Sequence, residues 1–254
     1  MTREDSAERV DQFVGLLPKA PEPLRYDDPP MGPEEAHGLL AKWVPNGASV
    51  LDVGGGTGTF ADKITRENNA TVMCVEPDQP RADLARARGL NVFTGTVQEF
   101  AETTDARFEI AVLADVIEHL PYAAPILTTI RGLLVKDGHL LVSVPNAAHW
   151  TIRESLLRGR FDYDVTGLMD ATHMRWYTLE SLKRLLTACG YVVESHTGAM
   201  GGQIPAYSTR LPWIGLPERY RWGILRRLVR YFPGAFAQQH IIRARRSDTA
   251  VAGA

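Results

Sequence analysis

The sequence predicts an α/β protein: a doubly wound, mostly parallel sheet of seven strands with helices on both faces. Three observations predict it. Short β-branched runs alternate with stretches whose apolar residues recur every three or four positions. Most of the runs are almost continuously apolar, as strands covered on both faces must be. The order strand, helix, strand holds from residue 49 to residue 144, the signature of parallel pairing through crossovers.

The expected strands are SVLDV (49–53), TVMCVE (71–76), LNVF (90–93), FEIAVL (108–113), HLLVSV (139–144), YVVESH (191–196) and QHIIRAR (239–245). Between them, ADKITREN, PRADLARAR and APILTTIRGLL have amphipathic spacing. A further helix is expected at 150–158. Another starts at the N-cap Thr178, with Ser181 at N3, runs to Cys189 and stops at Gly190. Six prolines between Pro18 and Pro33 make residues 1–34 an expected flexible arm, followed by a single domain at 35–246 and a disordered tail at 247–254. Residues 146–177 and 198–232 break the rhythm and are expected to be insertions on the acceptor side of the sheet.

Composition excludes several classes. No stretch approaches the ~18–20 apolar residues of a membrane helix, and the N-terminus is polar and acidic where a secretory leader is basic and then apolar. Cys74 and Cys189, far apart, are the only cysteines, so neither a CxxC motif nor a disulfide framework is available. A cytoplasmic location is expected. The net charge of -2 conceals a segregation: residues 1–150 carry 13 Lys and Arg against 22 Asp and Glu, residues 151–254 carry 15 against 8. The basic helix ERYRWGILRRLVRYF places Leu225, Leu228, Val229 and Phe232 on one face. That face suits packing on the sheet, a homodimer interface or, through 219–232, peripheral membrane contact.

The sharpest local signal is VLDVGGGTG. A strand ending at Asp52 meets Gly54, Gly56 and Gly58 before a helix, and Glu76 closes the next strand. Glycines there permit positive φ and close backbone approach of a ligand, and an acid at the end of the second strand can hold both hydroxyls of a ribose. The combination points to a nucleoside-containing cofactor. A dinucleotide fingerprint needs a further glycine where Thr59 stands, which argues against a nicotinamide dehydrogenase.

With VLDVGGGTG, Glu76, FEIAVLADVIEHL and GLLVKDGHLLVSVPN, residues 38–197 resemble the class I S-adenosylmethionine-dependent methyltransferases. The resemblance implies that Asp52, Gly54, Gly56, Gly58 and Asp115 take part in holding S-adenosylmethionine, with Glu76 on the ribose. Thr96 and Val97 stand where many members have an acid that reads adenine.

In LADVIEHL, Asp115, Glu118 and His119 lie at the carboxyl end of the fourth strand, where open α/β sheets bind ligands. Carboxylates and imidazole together suit a divalent ion, expected to be magnesium. In ubiquinone O-methyltransferases and RNA terminal 2'-O-methyltransferases, which this segment resembles, an acid-x-x-Glu-His motif binds a metal with a later histidine. Glu118 and His119 match it, Asp115 is shorter than the usual Glu, and His173 is the better match for the later ligand. Glu118, His119, His149 and His173 are the expected catalytic residues, because an aliphatic hydroxyl needs such help more than a nitrogen or a thiol does. His37, His139, His196 and His240 are expected to be structural or at the surface.

The stretch NAAHWTIRESLLRGRFDYDVTGLMDATHMRWYTLESL resembles methyltransferases of glycan and natural-product pathways, including those that methylate the reducing-end hydroxyl of mannose oligomers. Trp150, Phe161, Tyr163, Trp176 and Tyr177 are candidate sugar-stacking rings. Arg153, Arg160, Asp162, Asp164 and Asp170 are candidate hydroxyl binders. The expected activity is metal-assisted O-methylation of a small-molecule or oligosaccharide substrate, with no stable nucleic-acid partner. A phenol, a quinone or an RNA 2'-hydroxyl is the alternative acceptor, and a membrane- or partner-docking module the alternative class.

Overall fold

The computed structural model describes residues 31–201 and 215–248. Seven strands form one sheet in the order β3-β2-β1-β4-β5-β7-β6. They are β1 (Ser49–Val53), β2 (Thr71–Glu76), β3 (Asn91–Thr94), β4 (Phe108–Ala114), β5 (Leu134–Pro145), β6 (Tyr191–Ala199) and β7 (Gln239–Arg246). β1 to β5 pair parallel, and β7 runs antiparallel between β5 and β6. Strand order reverses between β1 and β4, so a crevice opens where their carboxyl ends diverge.

The near-continuous apolar strands are explained by two cores. On one face Leu51, Leu113, Leu140 and Val142 pack with Leu127, Ile130 and Leu133 of α5 (Ala123–Leu133) and Leu182 and Leu186 of α7 (Leu179–Ala188). On the other, Val50, Val112 and Leu141 meet Leu40 of α1 (Ala36–Ala41) and Phe60 and Ile64 of α2 (Thr59–Asn68). α3 (Gln79–Ala87) is capped by Asp78, whose Oδ1 accepts from the Arg81 N–H. α4 (Val97–Thr103) and α7 begin with reciprocal capping boxes, Thr96 with Glu99 and Thr178 with Ser181.

Four expectations are corrected. β5 begins at Leu134, five residues early, because a bulge at the left-handed Asp137 lets Leu134 pair with Phe108 before His139 pairs with Ile110. β4 ends at Ala114, one residue past its expected end, and Glu118 and His119 lie beyond it in a 3₁₀ turn, Ile117–His119. The end of the expected arm is folded: Glu34 accepts from the Met200 N–H at 3.1 Å through its carbonyl and from Arg226 Nη2 at 3.0 Å through its carboxylate. Phe232 leaves the apolar face of α8 (Glu218–Tyr231), since it is the C-cap and lies exposed. The rest of the arm, residues 202–214 and residues 249–254 lie outside the described residues.

A third cluster joins the C-terminal elements to the sheet. Leu225 and Val229 of α8 are buried with Met200 and Ala237, and Trp150 at the start of α6 (Trp150–Leu157) packs against them. Asn146, fully buried just beyond β5, pins this unit. Its Nδ2 donates to the Ala237 carbonyl at 2.9 Å and to the Gly234 carbonyl of α9 (Pro233–Phe236) at 3.2 Å, while its Oδ1 accepts from the Ala148 N–H at 2.9 Å. No helix among the described residues is long and apolar enough to cross a membrane.

Asn146→Ala strands these backbone groups where water cannot replace the amide. We expect a loss of about 1–3 kcal/mol in chemical denaturation with an unchanged denaturant slope; a neutral variant would show that the α8–α9 unit is held by its apolar contacts alone.

Candidate functional site

The glycine loop lies at the mouth of the β1/β4 crevice. Gly54 has φ 71°, donates to the Val75 carbonyl at 2.8 Å and leaves no room for a Cβ, which would stand 2.8 Å from a Val116 methyl. Gly56 has φ 56° and open space where a side chain would project, which suits backbone approach by a ligand. Gly58 differs from these two. A Cβ there would press on Leu90 and stand 3.0 Å from the Ala85 Cβ, so helix packing by itself requires this glycine.

Asp52 is buried, and its Oδ2 has no hydrogen-bond partner among the described residues. Burial, reinforced by the Glu76 carboxylate, pushes its pKa up to about 7. An unpaired buried acceptor beside open glycine backbone fits a polar, cationic ligand group. Glu76 ties the loop to β2: its Oε2 accepts from the Gly56 N–H at 2.8 Å and its Oε1 from the Asp78 N–H at 2.9 Å. Thr96 spends its hydroxyl and its N–H on Glu99 and its carbonyl on the Phe100 N–H, and Val97 faces the core, so neither side chain reads a base.

Asp115 is a clamp more than a ligand. It adopts φ 55°, its Oδ1 accepts from Ser143 Oγ and its Oδ2 from Gln239 Nε2, each at 2.8 Å. Its N–H also donates to Ser143 Oγ, at 3.0 Å. The carboxyl ends of β4 and β5 and the amino end of the antiparallel β7 are thus fastened at one residue, and the chain leaves β4 sharply into the 3₁₀ turn.

That turn meets the loop before α7. The Glu118 carbonyl accepts from the N–H groups of Met174 and Arg175, at 2.8 and 3.0 Å. His173 is thereby drawn over His119, with ring centroids 4.9 Å apart. Glu118, His119 and His173 each offer a ligand atom, and these atoms lie within 4.8 Å of one another. His119 Nδ1 is 3.2 Å from the Thr172 carbonyl, so a proton on Nδ1 leaves Nε2 as the lone pair. Thr172 in turn donates its hydroxyl to Asp170 Oδ1 at 2.6 Å.

Both Glu118 carboxylate oxygens and His173 Nδ1 lack hydrogen-bond partners among the described residues. Burial first, then the Asp115 charge, holds the Glu118 carboxyl well above its ordinary range. Burial, then His119, lowers His173 to about 4, with Asp170, Asp115 and the Leu168 carbonyl opposing. A cation at this point would ionise the carboxyl and use the neutral imidazoles, which is the donor chemistry a divalent ion requires.

Several expected site residues are placed elsewhere. His149 is fully buried and caps α6, its Nδ1 2.7 Å from Thr151 Oγ1; burial lowers its pKa to about 4, and it stands outside the converging trio. Arg153 braces α6, donating to the carbonyls of Ala148 and Gly234 at 2.6 and 3.3 Å. Trp150 is packing, as is Asp170, which is fully buried and holds Thr172 through both its hydroxyl and its N–H. Arg160 is exposed. Phe161, Tyr163 and Trp176 do form a ring cluster, with centroid separations of 5.5–6.4 Å, and Trp176 continues it to His173 at 5.5 Å.

Sequence reasoning missed Ser143, Gln239 and Thr172. His37 stacks on Phe60 with centroids 5.7 Å apart, and burial lowers its pKa against the pull of Asp115. A hydroxyl inside the apolar run LLVSVP was a readable signal for Ser143; the partners of the other two are set by tertiary contact.

A family model described as a methyltransferase domain matches residues 33–196. The chain belongs to that family. It is similar to the ubiquinone biosynthesis O-methyltransferases of Actinobacillus pleuropneumoniae, 30% identical over 49% of this chain and 53% of the relative, and of Vibrio parahaemolyticus, 26% identical over 44% and 48%. The chain spans about half the length of the curated relatives it matches. A solved S-adenosylmethionine-dependent methyltransferase from Archaeoglobus fulgidus superposes with a TM-score of 0.56 at 16% identity, covering 96% of this chain and 95% of that one. The fold is therefore the α/β fold of S-adenosylmethionine-dependent methyltransferases.

Because Asp52 binds its proton more tightly folded than unfolded, its contribution to stability falls as pH rises from about 4 to about 7. Asp52→Asn removes that dependence. We expect the melting temperature of the variant, relative to wild type, to rise between about pH 5 and about pH 8; a difference that stays constant with pH would contradict a raised, buried carboxylate.

Proposed function

We propose that this chain is an S-adenosylmethionine-dependent O-methyltransferase that methylates a saccharide hydroxyl, with a divalent ion held by Glu118, His119 and His173. The observation that carries the reading is the meeting of these three donors at the carboxyl end of β4, with both Glu118 oxygens and His173 Nδ1 unpaired among the described residues.

S-adenosylmethionine, when bound, supplies an electrophilic sulfonium methyl. Gly54 and Gly56, whose N–H groups are bonded to the Val75 carbonyl and to Glu76, offer carbonyls to the ammonium of its amino-acid end, Asp52 offers an acceptor, and Glu76 a carboxylate whose further lone pairs suit ribose hydroxyls. The divalent ion, expected to be magnesium, supplies positive charge that lowers the pKa of a neighbouring hydroxyl. The chain's own work is then orientation and proton control. Thr172 and Asp170 fix the His119 ring, the Glu118 carbonyl fixes the His173 loop, and burial keeps His173 neutral at physiological pH. Phe161, Tyr163 and Trp176 offer flat apolar faces beside these groups, the kind of surface on which the C–H face of a sugar packs.

A phenolic or quinol hydroxyl is the second reading, favoured by the similarity to ubiquinone biosynthesis O-methyltransferases. A panel of mono- and oligosaccharides run beside catechols separates the two.

Glu118→Gln, His119→Ala and His173→Ala are each expected to lower turnover by about 10²–10⁴-fold while S-adenosylmethionine affinity, read by calorimetry, changes only a few-fold. Loss of cofactor affinity on the same scale as turnover would place these residues on the cofactor and overturn their assignment to the acceptor side.

A further inference from the structure

Methyl transfer does not account for the outward face of α8. Its inward face is satisfied, because Leu225 and Val229 are buried in the third cluster and Arg226 is paired with Glu34. The opposite side carries Tyr220, Ile224 and Tyr231, spaced by four and seven residues and therefore aligned on one stripe. All three are exposed, Tyr231 to 68%. Arg227 lies on the same stripe, and Arg219 and Arg230 border it, their guanidinium groups 4.7 and 5.7 Å from the rings of Tyr220 and Tyr231. These three arginines make no ion pair among the described residues, and Glu218 is the only acid on the helix.

Apolar and aromatic side chains in a row, edged by arginines with no ion pair among the described residues, two of them with the guanidinium over a ring, form the outer surface of an interfacial helix. We infer that α8 docks this chain on an anionic phospholipid surface, with Tyr220, Ile224 and Tyr231 entering the headgroup boundary and Arg219, Arg227 and Arg230 meeting lipid phosphates. Charge selects this occupant. A second copy packed on the same face about a twofold axis would bring arginine rows together, and like charges in contact oppose association. The stripe is separate from Glu118, His119 and His173, so docking and methyl transfer can be tested independently.

The test is co-sedimentation of the full chain with phosphatidylcholine vesicles, with and without phosphatidylglycerol, at increasing salt. We expect sedimentation only with phosphatidylglycerol, weakening as salt rises. Arg227→Gln and Arg230→Gln should each lower the partition about fivefold. Tyr220→Ser combined with Ile224→Ser should lower it at least as far, with melting temperature unchanged because both side chains are exposed. The inference is overturned if the chain stays in the supernatant, if neutral vesicles bind it equally, or if these variants partition like wild type. It is equally overturned if light scattering shows the Tyr220/Ile224 variant to be the monomer of a wild-type dimer, or if the arginines hold an RNA oligomer and not vesicles.

Discussion

The site depends on one clamp, the set of hydrogen bonds that Asp115 makes at the end of β4. A residue in the left-handed region that is not glycine is held there only by its surroundings, and here Ser143 and Gln239 supply that restraint from β5 and β7. The clamp has two consequences. It closes the junction between the parallel strands and the antiparallel β7, and it ends β4 abruptly enough for the next residues to coil into a 3₁₀ turn. Without that turn Glu118 and His119 would continue along an extended strand on opposite faces of the sheet.

Around this junction the protein buries ionisable groups at a density that would be costly in an ordinary core. Asp52, Glu76, Glu118, His149, His173 and His240 are all buried, and those with shifted pKa values are shifted toward their neutral forms, chiefly by burial. Two kinds can be separated. His149 finds a local partner in Thr151 and supports a helix end. Asp52 and Glu118 keep oxygens without a partner among the described residues, one beside open glycine backbone and the other beside two imidazoles. A folded chain tolerates such groups where a ligand's charge completes them.

The fold was legible because it is written in local periodicity. All seven strands and the main helices follow from apolar spacing, and the glycine loop with Glu76 locates the crevice from sequence alone. All three members of the trio were named from the sequence, but by different signals: Glu118 and His119 are adjacent to a strand end that periodicity locates, whereas His173 was named through the resemblance alone, since the two N–H bonds to a single carbonyl that bring it over them are encoded by no local pattern. The same limit governs the other candidates. His149, Arg153 and Asp170 have the chemistry of site residues, and what separates bracing from binding is which neighbour each side chain reaches. The helices α8 and α9 lie past the family match, and their attachment to the rest of the fold follows from Asn146 and the third cluster.

The central claim is that Glu118, His119 and His173 form one cation site, and the most direct measurement is titration of manganese into the metal-stripped full chain, followed by electron paramagnetic resonance. The account predicts a single bound ion whose signal shows imidazole nitrogen coupling. Glu118→Gln and His173→Ala should each lose it while remaining folded by circular dichroism. A chain that binds no ion, or variants that bind it as wild type does, would contradict the account.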